Sequence, residues 1–172
     1  FVNPDDDIFY DCEVIFFATP HGISMSMVSS FLTKNIKVID LSADFRLKNT
    51  KIWEEWYGSL HTQEELLSES VYGLTELNLK EIKSARLVAV PGCYPTSSLL
   101  GVLPILNSKL EVDSIIIDAK SGFSGAGTTR SPKNDPEVLY ENILPYALSD
   151  HIHEKEIGYH LDNPVRFMPH VL

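Results

Sequence analysis

A chain of 172 residues with 44% apolar and 10% aromatic side chains has the means to bury one good core or two small ones, which excludes a disordered tail. Twenty-four acidic against fourteen basic residues give a net charge of −10, which argues against nucleic acid or an anionic membrane as partner but leaves room for a local cationic pocket. The two cysteines, Cys12 and Cys93, match neither a disulfide framework nor a zinc ligand pattern, so a reducing, cytoplasmic setting is expected. No apolar run reaches the length of a membrane span, and the first residues lack the charge and apolar block of a signal peptide. The missing initiator Met and the strand-like ending predict a piece of a longer protein.

In chain order, Cys12 to Thr19 reads as a continuous apolar strand closed by Pro20-His21-Gly22. Helical spacing through Met27, Val28, Phe31 and Leu32 predicts a helix over 23–33, and Ile36 to Leu41 a second buried strand. Strand, helix and strand at this spacing form a βαβ unit, which implies a parallel sheet. Cys12 is expected to pack in that sheet without a chemical role. Residues 48–84 are more polar, with Trp53, Trp56 and Tyr57 read as packing on the sheet rather than as a base-stacking platform.

Arg86 to Val90 is a further buried strand, and Leu99, Leu100, Val102, Leu103, Ile105 and Leu106 follow at helical spacing. Pro91-Gly92 breaks the strand and Pro95 suits the first helical position. Cys93 then lies at a strand-to-helix turn, where unpaired amides and the helix dipole favour a thiolate nucleophile over a thiol. A small buried hydrophobe is the alternative for a free cysteine. Open parallel sheets bind ligands at the carboxyl ends of their strands, so 19–22, 42–46 and 92–93 are expected to converge on one crevice.

Residues 112–119 read as a strand leading into the loop Ser121-Gly122-Phe123-Ser124-Gly125-Ala126-Gly127. Its glycines lack the order of a dinucleotide fingerprint and the Lys-Ser/Thr of a P-loop. A flexible stretch through Asp135-Pro136 leads to His151-Ile152-His153-Glu154-Lys155-Glu156-Ile157, and a strand from 165 closes the chain. His-x-His-x-x-Glu is a conceivable metal set, but no other Cys or His spacing completes it, and no metal is expected.

Six segments in order carry a resemblance: Ala-Thr-Pro-His-Gly (18–22), Asp-Leu-Ser-Ala-Asp-Phe-Arg-Leu (40–47), Val-Pro-Gly-Cys-Tyr-Pro-Thr (90–96), Ser-Gly-Phe-Ser-Gly-Ala-Gly (121–127), His-Ile-His-Glu-Lys-Glu-Ile (151–157) and Phe-Met-Pro-His-Val (167–171). Together they resemble the N-acetyl-gamma-glutamyl-phosphate reductase family, relatives of aspartate-semialdehyde dehydrogenase. The resemblance implies an α/β fold in which residues 1–92 form part of a Rossmann-like NADP domain, incomplete at its N-terminus. Residues 93–172 would begin an α+β catalytic and dimerisation domain. Family members open with a Gly-rich βα turn absent here.

The resemblance further implies NADPH-dependent reduction of an acyl phosphate, N-acetyl-L-glutamyl 5-phosphate, to its semialdehyde and inorganic phosphate, through a thioester on Cys93 and within arginine biosynthesis. His151 and then His153 are the acid/base candidates, with His21 and His170 as outside ones. Arg46, Ser42 and Thr96 fall on the substrate and phosphate side, Thr19, Pro20, Ser121, Gly122 and Gly125 on the cofactor side. Thr128-Thr129 stand where the family commonly has a basic pair, which weakens an assignment of Arg130 to the substrate. A homo-oligomer, dimer or tetramer, is expected. An N-acetyl-aminoadipyl phosphate reductase of lysine biosynthesis would share these motifs, and a cysteine acyltransferase or hydrolase would share Cys93 and His151.

Overall fold

The computed structural model describes residues 3, 6–108, 110–149 and 151–172. A 3-10 turn at Asp7–Asp11 precedes β1 (Val14–Phe17), α1 (Ser24–Thr33) and β2 (Lys37–Asp40). Next come α2 (Thr50–Tyr57), α3 (Glu64–Glu69), β3 (Val71–Tyr72), α4 (Thr75–Ser84), β4 (Leu87–Ala89) and α5 (Cys93–Leu106). The chain continues through β5 (Ile116–Ser121), α6 (Pro136–Leu139), β6 (Leu144–Pro145), α7 (Ile152–Leu161) and β7 (Arg166–Val171). Phe1–Thr96 and Ser97–Leu172 form two separate units, the division falling within the first turns of α5. Among the described residues no helix is long and apolar enough to cross a membrane.

In the first unit the strands pair in the order β1-β2-β4-β3, all parallel. Apolar side chains at Val38, Leu87 and Ala89 suit strands buried inside a parallel sheet, and all three have no exposed surface. Helix α1 turns Val28, Phe31 and Leu32 inward, with Phe31 edge-on to Phe17 at 5.7 Å between ring centroids. Strand β1 falls within the apolar run expected to form a strand; it stands at one end of the four described strands, with Phe17 buried and Phe16 67% exposed. Cys12 does not pack in the sheet. It is exposed at the end of the 3-10 turn, its Sγ directed at the Ile8 carbonyl.

Gly73, just after β3, runs close against β4. A Cβ placed there would stand 2.9 Å from Val88 Cγ1 and 3.2 Å from the Ala89 carbonyl oxygen, so the neighbouring strand leaves room for glycine alone. Earlier in the chain, Lys48 Nζ donates to the carbonyls of Leu67 and Ser70 and closes the end of α3. Burial pushes its ammonium below its ordinary 10.5.

In the second unit β7 is central, parallel to β5 and antiparallel to β6. Ile157 and Leu161 of α7 and Phe167 and Val171 of β7 are buried. The strand expected over 112–119 is displaced: β5 runs over Ile116–Ser121, because the parallel ladder with Arg166–Val171 sets its span and the local apolar run does not. The stretch read as flexible around Asp135-Pro136 is organised by local bonds. Asn134 donates through Nδ2 to the carbonyls of Gly127 and Thr129, and Asp135 caps α6 through the Glu137 amide.

Gly73→Ala is expected to lower stability by about 1–3 kcal/mol, the usual cost of overpacking. Chemical denaturation with an unchanged m-value checks it.

Candidate active site

The carboxyl ends of β1, β2 and β4 carry the segments 19–22, 42–46 and 91–93, and buried polar groups tie them together. Asp44 has no exposed surface. Its Oδ1 accepts the Gly22 amide at 2.8 Å, and its Oδ2 accepts the Met25 amide at 3.0 Å and lies 2.8 Å from Ser24 Oγ. Ile23 offers α1 no side-chain cap, so Asp44 caps that helix from another segment. The Ala43 amide donates to His21 Nδ1 at 3.3 Å, a second tie between 19–22 and 42–46. His61 secures the backbone of this segment. Its Nδ1 accepts the Gln63 amide, which leaves Nε2 to donate to the Asp44 carbonyl at 2.7 Å, while the ring stands edge-on to Trp53 and Phe45. Trp53 Nε1 donates to the Ala43 carbonyl at 3.1 Å.

Asp40, at the end of β2, shares this interior. Its Oδ2 lies 2.8 Å from both Ser24 Oγ and Ser42 Oγ, and those hydroxyls are 2.9 Å apart. With the Ser24–Asp44 contact, four short O···O contacts have only two hydroxyl hydrogens between them. Burial pushes the Asp40 carboxyl above its ordinary 3.8 and repulsion from Asp44 adds to this, outweighing the hydrogen bonds from Ser42 and Ser24.

Cys93 is exposed and is the first residue of α5. The Thr96 amide donates to the Gly92 carbonyl at 2.9 Å, which makes Gly92 the cap and sets Pro95 at the third helical position, two later than expected. Its missing N–H still costs nothing, because the amides of the first helical turn have no acceptor within the helix. Thr96 Oγ1 also donates to the Gly92 carbonyl at 2.9 Å. Arg46 is 7% exposed; its Nε donates to the Val90 carbonyl at 2.7 Å and its Nη2 to the Leu41 carbonyl at 2.8 Å. The side chains of Ser42, Thr96 and Arg46 thus all bond within the fold. Thr19 Oγ1, at the end of β1, is buried with no hydrogen-bond partner among the described residues, while Pro20 is exposed. An unsatisfied hydroxyl at that position fits a polar ligand group.

In the second unit His151 caps α7, its Nδ1 accepting the His153 amide at 3.1 Å. The two imidazoles lie 4.8 Å apart, and His151 also meets the rings of Tyr146 and Phe167. Glu154 Oε2 accepts the Phe167 amide at 2.9 Å and fixes α7 to β7. Ser121 ends β5 and its Oγ donates to the Gly122 carbonyl at 3.1 Å. Gly125 donates its amide to that carbonyl at 2.9 Å and lies so close to Ser121 Oγ that a Cβ would collide. Arg130 is exposed and faces Asp135. His170 Nδ1 lies 3.2 Å from Asp118 Oδ1, and Asp118 is drawn below its ordinary 3.8 chiefly by the hydrogen bond from Lys120. Among the described residues no three His, Cys, Asp or Glu side chains gather as they would around a metal.

Residues 1–85 match the family model described as semialdehyde dehydrogenase, NAD binding domain, and residues 93–172 match semialdehyde dehydrogenase, dimerisation domain. The chain belongs to the semialdehyde dehydrogenase family. Within it, the chain is similar to N-acetyl-gamma-glutamyl-phosphate reductases: 48% identical to that of Ruthia magnifica over 157 residues, covering 91% of this chain and 46% of the relative. Identity to the Nitrosococcus oceani reductase is 47%, covering 94% of this chain and 49% of the relative, and to the Methanosphaera stadtmanae reductase 44%, covering 100% and 51%. The chain spans about half the length of the curated relatives it matches.

Among solved structures, aspartate semialdehyde dehydrogenase II from Vibrio cholerae has a TM-score of 0.64 at 13% identity, covering 95% of this chain and 52% of that one. Aspartate semialdehyde dehydrogenase with NADP from Candida albicans has 0.58 at 11%, covering 97% and 49%. These likenesses show a shared α/β fold.

The sequence motifs give no separate role to Ser24, Asp40, Asp44 or His61. The available signal was the alternation Asp40-x-Ser42-x-Asp44 at the end of an apolar strand, where polar side chains can only be kept if they bond one another. A carboxyl whose pKa rises on folding contributes stability that is complete below the unfolded value and is lost as pH climbs through the folded one. Thermal unfolding of Asp40→Asn and of the unsubstituted protein is therefore expected to diverge in the variant's favour as pH rises from 3.8 towards neutrality. A pH-independent difference would contradict an upward shift of the Asp40 pKa on folding.

Proposed function

We propose that the protein bearing this chain reduces N-acetyl-L-glutamyl 5-phosphate to N-acetyl-L-glutamate 5-semialdehyde, using NADPH and a thioester on Cys93. The observation that carries the reading is the exposed thiol on the first residue of α5, directly after the carboxyl end of β4. The first amides of a helix have no acceptor within it and a helix start favours anions, which suits the negative charge that develops on a reacting acyl group.

In this reading the Cys93 sulfur attacks the acyl carbon, a C–S bond forms, and the C–O bond to phosphate breaks with its electron pair leaving on phosphate. Bound NADPH supplies the hydride that takes the acyl group to the aldehyde level. His151, with His153 as the second candidate, lends a proton to the oxygen of the tetrahedral adduct and takes it back as the C–S bond breaks. Covalent capture keeps the acyl group fixed and away from water between the two stages.

Thr19 and Pro20 are assigned to the cofactor, a role that the unsatisfied Thr19 hydroxyl favours, together with Ser121, Gly122 and Gly125. Arg46, Ser42 and Thr96 are assigned to the substrate side, Arg46 as the cation for the leaving phosphate. The dimerisation-domain match supports a homo-oligomer, and the biosynthetic relatives support a cytoplasmic setting.

The test is oxidation by the full-length protein of N-acetylglutamate semialdehyde and of its homologue one methylene longer. NADP reduction that requires inorganic phosphate and prefers the shorter aldehyde is expected. Turnover without phosphate would indicate a different acyl acceptor and contradict the reading. Cys93→Ser is expected to lower this activity by about 10³-fold or more with the fold retained. Survival of most of the activity would remove Cys93 from the mechanism.

A further inference from the structure

Arg46 closes a tight turn after β2. Its amide donates to the Ala43 carbonyl at 3.4 Å, so Asp44 and Phe45 are the central residues and Arg46 takes the last position. A bond of this kind makes no use of the carbonyl between the two central residues, here that of Asp44, and rotation of that one peptide is what separates one turn geometry from another. His61 takes this carbonyl: its Nε2 donates at 2.7 Å, and its ring stands edge-on to Phe45 at 5.8 Å between centroids. His61 is buried, so water does not compete for the bond.

The carbonyls on either side have other holders. Trp53 Nε1 donates to that of Ala43 at 3.1 Å, and Ser70 Oγ lies 3.1 Å from that of Phe45. The backbone around His61 is likewise fixed without help from the imidazole donor. The His61 amide donates to Glu54 Oε1 at 3.1 Å, the Thr62 amide to Met25 Sδ at 3.4 Å and the Gln63 amide to His61 Nδ1 at 3.3 Å. Loss of the Nε2 donor therefore leaves both segments in place and releases a single peptide, two residues before the guanidinium-bearing one.

We propose that His61 is a positioning residue for phosphate binding: by holding the Asp44 carbonyl it fixes the turn that presents Arg46 to the anion. The inference rests on the assignment of Arg46 to the leaving phosphate. Two amide side chains separate the jobs of the two ring nitrogens. Glutamine places its amide nitrogen near the position of Nε2 and can donate to the Asp44 carbonyl, whereas asparagine places its oxygen near that of Nδ1, for the Gln63 amide, and falls short of the carbonyl.

The experiment uses the full-length protein and its His61→Gln, His61→Asn and Arg46→Gln variants, with circular dichroism following the fold. Two quantities are read: the KM values for phosphate and NADP in aldehyde oxidation, and the rise in Tm on adding inorganic phosphate, which reports binding without turnover. Arg46→Gln is expected to raise the phosphate KM and to remove most of the rise in Tm. His61→Asn is expected to raise the phosphate KM by about tenfold with the NADP KM nearly unchanged, and to shrink the rise in Tm, whereas His61→Gln stays within about threefold of the unsubstituted protein.

An unchanged phosphate KM in His61→Asn beside a raised one in Arg46→Gln would overturn the proposal. Equal losses in His61→Gln and His61→Asn, spread over kcat and both KM values, would overturn it as well, since packing alone would then explain His61. Arg46→Gln with unaltered phosphate KM and Tm rise would instead overturn the assignment of Arg46 to the phosphate. If the unsubstituted protein lacks phosphate-dependent turnover, the proposed reaction fails and the Tm comparison still decides whether His61 governs anion binding; no Tm rise in that protein would overturn both.

Discussion

A carboxylate without exposed surface must be supplied with donors, and Asp44 finds its donors on another segment: the amides of Gly22 and Met25 and the neighbouring Ser24 hydroxyl. The same group therefore stabilises the start of α1, fixes the turn after β1 and anchors the segment after β2. Removing it would leave several buried donors unsatisfied at once. Asp40 and Ser42 join this network from the strand itself, and His61 and Trp53 hold the carbonyls of Asp44 and Ala43 from the opposite side of the segment.

What this interior supports is an arrangement of strand ends. Parallel strands all present their carboxyl ends to the same edge, so Thr19-Pro20-His21-Gly22, Ser42 to Arg46 and Gly92-Cys93 emerge together without further instruction. The direction of each emerging segment is then set by bonds that outlast the ladder: Asp44 to Gly22, Ala43 to His21, Arg46 to Leu41 and Val90. The second unit uses a different device. There a histidine caps its own helix, and Glu154 ties that helix to the central strand, so the His151–His153 pair has a defined orientation against Tyr146 and Phe167.

The legible parts of the sequence were those decided locally. Apolar runs bounded by Pro, Gly or Asn placed β1, β2 and β4 to within a few residues, and helical spacing placed α1 and α5. The strand β5 was misplaced because Ile115-Ile116-Ile117 advertises a buried strand, whereas its length is decided by a partner fifty positions away. The loop before α6 looked flexible because its polar residues resemble those of unstructured segments, yet Asn134 and Asp135 satisfy the backbone there. Asp44 and Arg46 stand in the Asp-Leu-Ser-Ala-Asp-Phe-Arg-Leu segment, which says nothing of the bonds they make within the fold. A helix cap borrowed from twenty positions downstream, or a guanidinium spent on two carbonyls, leaves no periodic mark in a sequence.

Everything chemical in this reading converges on one covalent bond, and trapping that bond is the most direct measurement. Full-length protein mixed with N-acetyl-L-glutamyl 5-phosphate in the absence of NADPH, quenched in acid and digested, should yield the Cys93 peptide carrying the N-acetylglutamyl group as a hydroxylamine-labile thioester, with a matching release of phosphate. An unmodified Cys93 peptide under conditions where the complete reaction runs, or the acyl group on Cys12 instead, would contradict the claim that this sulfur carries the substrate.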